Sequence, residues 1–253
     1  MLDPVLIDRV ERLTRRLGRP AVVGIAGAQG SGKTTLARAV AARMGGAAFS
    51  LDDVYLTRID RQAMAARVHP LFAVRGAPGT HDLDLAHATL DSLRAGRATS
   101  LPRFDKLADD RATPVLFAGP AEVILIDGWC LGALPQDETA LIAPVNALER
   151  DSDRLAVWRA HANKALAGPY QVFFDRLDAI IHLAAPSFDT VLDWRCEQEA
   201  ELMGLSPAEL PEARRGELAR FIQHFERITR HMLAGGLRAD MTVPLAIDRS
   251  LLA

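Results

Sequence analysis

The sequence predicts an α/β fold in which a parallel β-sheet is covered by helices on both faces, the doubly wound arrangement. Short apolar runs rich in β-branched residues occur at 21–26, 123–126 and 179–183, and such runs are typical of strands buried on both faces. The segments between them space their apolar residues as helices do. This alternation of strand and helix favours a parallel sheet.

The first predicted element is a helix over residues 3–17. Leu6, Val10 and Leu13 follow one another at helical spacing and give this segment one apolar face. Gly18 is expected to end the helix, because glycine is a common residue just after a helix C-terminus.

The remaining elements follow from the same two periodicities and from turn residues. Strands are predicted at 21–26, 47–51, 100–104, 123–126, 179–183 and 242–247. Helices are predicted at 33–44, 59–67, 83–95, about 151–166, 187–203 and 216–234. Residues 75–82 are predicted to form a loop, because two glycines and a proline lie close together there.

The chain is interpreted as a single domain over residues 1–253. It contains no internal repeat, no low-complexity tract and no evident linker. The polar segment 186–216 contains Pro207 and Pro211 and is the best candidate for a mobile helical lid.

The composition limits the class of partner. About half of the residues are apolar and the formal net charge is −2, which gives no reason to expect nucleic acid or an anionic membrane as a partner. Cys130 and Cys196 have no metal or redox spacing and are expected to be buried thiols in a reducing compartment. Neither a signal peptide nor an apolar run of about 20 residues is found, so a cytoplasmic protein is expected. The oligomeric state is left open.

Residues 27–34 read GAQGSGKT and fit the pattern G-x-x-x-x-G-K-[ST] of a phosphate-binding loop. The pattern follows a predicted strand and opens a predicted helix, which is the context in which such a loop binds a nucleoside triphosphate. Lys33 should reach the β- and γ-phosphates, and Thr34 should bind Mg²⁺. The predicted ATP-binding residues are Gly27, Ala28, Gln29, Gly30, Ser31, Gly32, Lys33, Thr34 and Thr35.

Asp127 supplies the acid that a metal–nucleotide site needs at the end of a second apolar strand. It directly follows the strand predicted at 123–126, so its carboxylate should contact Mg²⁺, directly or through water. The alternative is an acidic residue that simply ends a strand.

Several classes of nucleotide-binding protein are excluded by missing motifs. The chain has neither the Asn-Lys-x-Asp motif that recognises guanine nor the Leu-Ser-Gly-Gly-Gln signature of transporter ATPases. Gly128, not a catalytic glutamate, follows Asp127. Phosphoryl transfer to a small molecule remains, and this chemistry needs a base close to the acceptor hydroxyl.

Asp52 is the predicted base. It follows the second predicted strand, and the carboxyl ends of parallel strands open on the same crevice as the phosphate loop. Its neighbour Asp53 is interpreted as a helix cap or an indirect Mg²⁺ ligand.

Taken together, six motifs resemble the glycerate kinases of the plant and fungal type and their bacterial relatives, within the phosphoribulokinase and uridine kinase group. They are GAQGSGKT (27–34), SLDDVY (50–55), GTHD (79–82), PRFDK (102–106), IDGWC (126–130) and WRCEQE (194–199), and the likeness extends from about residue 20 to 248. The resemblance also places the catalytic base at Asp52, with Tyr55 after it. Three positions depart from the family pattern, namely Val54 for Phe, Phe104 for Tyr and Asp127 for the frequent Glu.

The resemblance and the residue chemistry together suggest how an anionic acceptor is held. Arg103, Lys106 and His81 could bind a carboxylate or a hydroxyl, because cations can fork onto a carboxylate. Without the resemblance, a solvated loop and a structural histidine are the simpler interpretations. Tyr55 and Asp82 complete the predicted substrate-binding set, and Arg75 is a weaker candidate.

Arg195 is predicted to stabilise charge on the moving phosphoryl group, because related kinases place lid arginines on this helix. The alternative is a surface helix in which Arg195 pairs with Glu199 four residues later. Arg214 and Arg215 are interpreted as surface charges.

The predicted function is that of an ATP-dependent kinase that phosphorylates D-glycerate to 3-phosphoglycerate with Mg²⁺. The partners expected are ATP and a small anionic metabolite. A kinase of the same group for uridine, pantothenate or a sugar phosphate is the first alternative. A regulatory ATPase is the second.

Overall fold

The structure is a computed structural model that describes residues 4–17 and 20–252. Its helices are α1 Pro4–Arg16, α2 Lys33–Met44, α3 Arg58–Arg67, α4 Leu83–Arg94, α5 Ala147–Ser152, α6 Val157–Ala165, α7 Gln171–Phe174, α8 Phe188–Leu202 and α9 Glu212–Leu233. Its strands are β1 Ala21–Gly27, β2 Ala47–Ser50, β3 Thr99–Asp105, β4 Asp110–Phe117, β5 Val123–Gly128, β6 Ala179–Ala184 and β7 Met241–Pro244. Residue 3 and Gly18, the predicted limits of the first helix, lie outside the described residues.

The main sheet has five parallel strands in the order β2-β5-β1-β6-β7. Every residue of β1 and β5 is buried, as expected of central strands covered on both faces. The predicted α/β fold with a parallel sheet is therefore confirmed. The strand order changes direction at β1, and ligands of such sheets bind where the carboxyl ends of the strands meet.

Helices cover the two faces of the sheet with two apolar clusters. On one face α1, α2 and α8 pack against β1 through residues such as Leu36 and Trp194. On the other face α4, α7 and α9 pack against β5, with Phe174 and Phe225 among the buried side chains. The thiols of Cys130 and Cys196 are free and buried, as predicted.

The strand predicted at 100–104 is longer in the structure, and a further strand that was not predicted follows it. Strand β3 continues to Asp105 and pairs with the antiparallel strand β4 in a hairpin. Most of β4 is exposed, and it contains Pro114, which an edge strand tolerates. Because both faces of β4 are largely exposed, its sequence has no alternation of apolar and polar residues and resembles a loop.

The single helix predicted over 151–166 is wrong, since the structure divides this region into α5 and α6. Asp153 causes the break, because its carboxylate accepts hydrogen bonds from the backbone N–H groups of Trp158 (2.9 Å) and Arg159 (3.1 Å) and so begins α6. A π-helical turn, Leu166–Tyr170, then leads into α7. In residues 4–17 and 20–252 no helix is both long and apolar enough to cross a bilayer.

The structure also sharpens two predictions near the end of the chain. The last strand, β7, ends at Pro244 rather than residue 247. The segment 186–216 contains all of α8 and the start of α9, so it is largely helical.

Candidate active site

The phosphate loop joins β1 to α2 with the backbone geometry that an anion site needs. Gly30 and Gly32 have φ angles of 80° and 85°, in the left-handed region that glycine adopts without strain. Gly32 begins α2 without a side-chain cap, which leaves the first N–H groups of this helix available for phosphate oxygens. The hydroxyl of Ser31 is buried and has no hydrogen-bond partner among the described residues. This loop can therefore bind a polyphosphate.

Lys33 is the first residue of α2 and turns back into the loop. Its ammonium group donates to the carbonyl oxygen of Ala28 at 3.4 Å, which is a long contact. Burial lowers the pKa of Lys33, although the nearby carboxylates of Asp52 and Asp127 oppose this effect. A weakly held, buried ammonium group is suited to a phosphate that enters the loop.

Asp127 lies within β5 and points its carboxylate at the start of α2. Its Oδ2 atom accepts hydrogen bonds from Thr34 Oγ1 at 2.8 Å and from Ser50 Oγ at 3.1 Å. Burial raises the pKa of Asp127 to about 6, while the charge of Lys33 opposes the rise. The predicted metal pair Thr34 and Asp127 is thus brought into contact.

These oxygen atoms fit Mg²⁺, which prefers carboxylate and hydroxyl ligands and usually shares its shell with phosphates and water. Among the residues that the structure describes, no three His, Cys, Asp or Glu side chains form a closed metal cage. A metal at Thr34 and Asp127 would therefore complete its coordination with a nucleotide.

Asp52 lies on a short 3₁₀ turn, Leu51–Val54, directly after β2. Tyr55 Oη donates to its Oδ1 atom at 3.0 Å, and Lys106 Nζ donates to its Oδ2 atom at 3.0 Å. Burial alone would raise the pKa of Asp52, but the charges of Lys106 and Lys33 outweigh it and hold this pKa below its ordinary value. A charged carboxylate thus lies within the electrostatic reach of the phosphate-loop lysine.

Asp53, unlike Asp52, is held by backbone N–H groups and has a structural role. Its carboxylate accepts from the backbone N–H groups of Ser50 (3.2 Å) and Phe104 (3.3 Å), and Arg103 lies 3.4 Å away. Asp53 therefore caps the turn and connects it to the hairpin, in agreement with its interpretation as a cap.

Arg103 and Lys106 lie on the hairpin and contact two neighbouring carboxylates. Arg103 is within β3 and pairs with Asp53, whereas Lys106 is in the turn after β3 and pairs with Asp52. The side chain of Lys106 is 60% exposed, so it can move without disturbing the core. The weaker candidate Arg75 forms an ion pair with Asp109.

His81 and Tyr55 form a stacked pair. Their ring centroids lie 4.4 Å apart, and their backbones form an isolated antiparallel bridge. His81 Nδ1 lies 2.5 Å from the hydroxyl of Tyr170, a residue that no sequence motif indicated. Burial lowers the pKa of His81 to about 4, although the negative charge of Asp52 opposes this shift.

Asp82, the neighbour of His81, has protein partners at both carboxylate oxygens. One oxygen caps α4 at the N–H group of Leu85 (2.9 Å), and the other pairs with Arg111 at 2.6 Å. These contacts support a structural role for Asp82, and they leave it a poorer candidate for binding the acceptor than its neighbour.

Arg195 forms the ion pair that the surface-helix alternative requires, with its guanidinium 2.7 Å from Glu199. The same carboxylate also binds Arg214, which in turn pairs with Glu217 at 2.6 Å. Arg195 could turn to a phosphoryl group only by leaving Glu199.

Arg249 belongs to the site although no motif indicated it. Its Nε atom donates to the carbonyl oxygen of Gly30 at 2.7 Å, and its Nη2 atom pairs with Glu197 of α8 at 2.6 Å. The guanidinium also lies 5.0 Å from the ring centre of Trp194. Arg249 adopts φ 68°, an uncommon conformation for a residue other than glycine. The strained backbone marks Arg249 as unusual in the structure, but the sequence carries no sign of it.

A cavity of about 690 Å³ opens beside Arg249 and the phosphate loop. Gly30, Gly32 and Thr35 line it on the loop side, and Glu197 and Gln198 of α8 line it on the other. Its position and size suit the nucleoside part of a bound nucleotide.

Comparisons with known proteins agree with this architecture. Residues 5–70 match the protein family described as Zeta toxin. Over 220 residues the chain is 30% identical to an uncharacterized kinase of Schizosaccharomyces pombe, and the alignment covers 78% of each chain. A uridine kinase of Deinococcus deserti is 31% identical over 114 residues, which cover 44% of this chain and 53% of that enzyme. The chain thus spans about half the length of this last relative.

Among solved structures, a D-glycerate 3-kinase from Cryptococcus neoformans var. grubii superposes with a TM-score of 0.75 at 22% identity. The superposition covers 98% of each chain. At this identity the likeness shows a shared fold.

Proposed function

The chain belongs to the family of P-loop kinases that includes the uncharacterized kinase of Schizosaccharomyces pombe, and from this premise we propose that it phosphorylates D-glycerate. As an ATP-dependent kinase of small molecules, it would transfer the γ-phosphoryl group of ATP to the 3-hydroxyl and form 3-phosphoglycerate. The observation that carries the proposal is the contact of Asp52 with Lys106 at 3.0 Å, beside the phosphate loop. It supplies a base for a hydroxyl and a cation for a carboxylate at one place.

We propose that Asp52 accepts the proton of the acceptor hydroxyl. The proton leaves the hydroxyl as its oxygen bonds to the γ-phosphorus and the bond from this phosphorus to the β–γ bridging oxygen of ATP breaks. Lys106 keeps Asp52 charged before the acceptor binds. When Lys106 turns to the acceptor carboxylate, the pKa of Asp52 rises and Asp52 becomes a better base.

The phosphates of ATP would be held by the N–H groups of the loop and by Lys33. Thr34 and Asp127 would hold Mg²⁺, the metal that P-loop kinases generally use with ATP. When bound, this metal offsets the negative charge of the phosphates. The contact of Thr34 Oγ1 with Asp127 Oδ2 at 2.8 Å supports this pair.

The acceptor would lie between Asp52 and the hairpin. Lys106 and Arg103 would bind its carboxylate, since a fork of cations suits a planar anion. His81 and Tyr55 would form the wall on the other side, supported by their stacking. Asp82 would act indirectly, by fixing the start of α4.

The segment 186–216 is proposed to act as a lid of a single kinase domain. Closure would exclude water and bring Arg195 to the γ-phosphate, where it would offset charge in the transition state. This movement requires Arg195 to exchange Glu199 for the phosphoryl group.

A uridine kinase is the second candidate, because uridine kinases are among the relatives that the chain resembles over part of its length. The same base and metal would serve a ribose hydroxyl. The cations Lys106 and Arg103 favour glycerate, since uridine has no carboxylate.

An acceptor panel tests the proposal. Purified protein with Mg²⁺ and ATP is offered D-glycerate, L-glycerate, glycerol, uridine and pantothenate, and the formation of ADP and of phosphorylated product is measured. Turnover of D-glycerate with the highest kcat/KM supports the proposal. Turnover of uridine or pantothenate but not of D-glycerate would exclude D-glycerate as the acceptor, while the assignment as a kinase would stand. Lys33→Met is the control for a contaminating kinase.

A further inference from the structure

A chain of hydrogen bonds links the glycine-rich loop, Tyr170 and His81. The backbone N–H group of Gly79 donates to Tyr170 Oη at 2.9 Å, and this oxygen lies 2.5 Å from His81 Nδ1. Tyr170 is 1% exposed and His81 is 6% exposed, so water does not compete for these atoms. Tyr170 ends the π-helical turn, a local irregularity that is frequent at functional sites.

The direction of each hydrogen bond follows from which atoms carry hydrogen. A backbone N–H group can only donate, so the phenol oxygen of Tyr170 accepts from Gly79. The phenol hydrogen has one acceptor within the described residues, which is His81 Nδ1. Donation of this hydrogen to Nδ1 satisfies the phenol and requires Nδ1 to be unprotonated, and a neutral imidazole with a bare Nδ1 carries its hydrogen on Nε2. The lowered pKa of His81, about 4, agrees with a neutral ring.

The Nε2–H group of His81 is left without a protein partner. Nε2 is buried and makes no hydrogen bond to any residue that the structure describes. The His81 ring stacks on Tyr55, whose hydroxyl donates to Asp52, and the charge of Asp52 acts on His81. A buried donor left unpaired costs about 1–3 kcal/mol, which a ligand oxygen could recover.

We propose that Tyr170 is a positioning residue that holds His81 as a neutral Nε2–H donor for an oxygen of the phosphoryl acceptor beside Asp52. The ligand group is a hydroxyl or carboxylate oxygen, because an ammonium group cannot accept a hydrogen bond. The place of the ligand rests on the proposed function, whereas the tautomer rests on the hydrogen bonds alone.

The tautomer is tested without any substrate. Protein with ¹⁵N-labelled histidine is examined by long-range ¹H–¹⁵N correlation at about pH 7, where the two neutral tautomers have different nitrogen shifts. His81→Gln assigns the signals of residue 81 by their loss. We expect a bare Nδ1 and a protonated Nε2 in the unaltered protein. A protonated Nδ1 would overturn the proposal even if D-glycerate is a good substrate.

The role of the donor is tested by kinetics with the acceptor that the panel identifies. His81→Gln retains an N–H donor on a side chain of similar reach, whereas His81→Leu removes it. We expect His81→Leu and Tyr170→Phe to raise the acceptor KM about tenfold, the loss of one hydrogen bond, with the KM for ATP unchanged. His81→Gln should stay within about threefold of the unaltered protein.

A purely structural role predicts a different pattern. Tyr170→Phe would then lower the melting temperature and weaken ATP and acceptor alike. Equal acceptor KM values for His81→Leu and His81→Gln would likewise contradict a donor role. If no substance in the panel is phosphorylated, the proposed function fails, and the tautomer experiment still decides the first half of the inference.

Discussion

The ammonium group of Lys106 lies 3.0 Å from Asp52 Oδ2, although Lys106 is on the exposed turn of a hairpin and Asp52 is beside the sheet. This contact joins the hairpin to the turn after β2. It also places a mobile cation on the proposed base. The charge of Lys106 should therefore control both the binding of an anionic acceptor and the titration of Asp52.

Lys106→Met should lower kcat/KM for the acceptor by about tenfold or more, the contribution of one charge-assisted hydrogen bond. Asp52 must be charged to accept a proton, and Lys106 lowers the pKa of Asp52. Removing the cation raises this pKa, so the acid limb of the pH profile of kcat/KM should move to higher pH. Lys106→Arg keeps the charge and is the control. An unmoved acid limb in Lys106→Met would argue against the coupling.

Asp52→Asn should lower kcat by about 10²–10⁴-fold, the usual contribution of a general base. The amide is similar in shape to the carboxylate but accepts no proton, so the affinity for ATP should change little. Product formation and ATP binding are measured separately, by a coupled assay and by calorimetry.

Asp53→Asn is the matched control for Asp52→Asn, because Asp53 caps the turn and pairs with Arg103. It should change kcat much less than Asp52→Asn does, because asparagine can keep the hydrogen bonds of the cap. Comparable losses of kcat in both variants would contradict the role of Asp52 as the general base.

Asp127→Asn should abolish activity and yet stabilise the protein free of nucleotide and metal at neutral pH. Burial raises the pKa of Asp127 to about 6 in the folded protein, from its ordinary value of 3.8. An acid with a raised pKa binds its proton more tightly when folded, so the free energy of unfolding falls as pH rises between these values. The total fall is on the order of 1–3 kcal/mol, and asparagine avoids it.

Thermal unfolding at about pH 5 and about pH 8 in the presence of a chelator measures this effect. Asp127→Asn should melt higher than the unaltered protein at the upper pH, and the difference should be smaller at the lower pH. The amide oxygen of asparagine can still accept from Thr34 and Ser50, so their hydrogen bonds are retained. A variant that is less stable at the upper pH would contradict this account.

Arg195→Ala should lower kcat by about 10²-fold or more if Arg195 offsets charge in the transition state. Arg214→Ala is the control, since Arg214 binds the same carboxylate of Glu199. Its loss should leave kcat within about twofold, as is usual for a partly exposed ion pair. Steady-state kinetics with saturating ATP separate the two, and equal effects would indicate a purely structural network.

The sequence predicted the parts of the site that depend on local chemistry. The loop at 27–34, the strand before it and the helix after it carry their own signals, so their geometry follows from glycine placement and apolar runs. Asp127 and Asp52 could be located because the carboxyl ends of parallel strands share one edge of the sheet. The contact between Thr34 and Asp127 is thus a consequence of topology.

The parts that the sequence missed depend on contacts between distant segments. Tyr170 reaches His81 across 89 residues, and Arg249 reaches Gly30 across 219 residues. No periodicity or motif records such pairs. The hairpin strand β4 was missed for a different reason, because both of its faces are largely exposed and its apolar residues therefore do not alternate.

Arg249 should hold the phosphate loop and α8 together at the cavity beside Gly30. Its guanidinium binds the loop carbonyl of Gly30 and the carboxylate of Glu197 at once. We call this pair of contacts the Arg249 clamp. Because a bound nucleotide would touch both the loop and α8, loss of the clamp should weaken the binding of ATP and leave the binding of the acceptor unaffected. Glu197→Gln keeps the bond to Gly30 and removes only the charge pair with α8, so it separates the two contacts.

Arg249→Gly should raise the KM for ATP by about tenfold while kcat and the acceptor KM change less than about twofold, since one charge-assisted hydrogen bond to the loop is lost. Glycine adopts the left-handed conformation of residue 249 without strain, so the backbone should keep its course and the variant should fold. Arg249→Lys retains the charge but cannot bind both partners with one planar group, so its KM for ATP should lie between the two. Initial rates at varied ATP and saturating acceptor measure the effect. An unchanged KM for ATP in Arg249→Gly would show that the loop keeps its conformation without Arg249, and that the strained backbone at residue 249 serves only the local turn at 246–250.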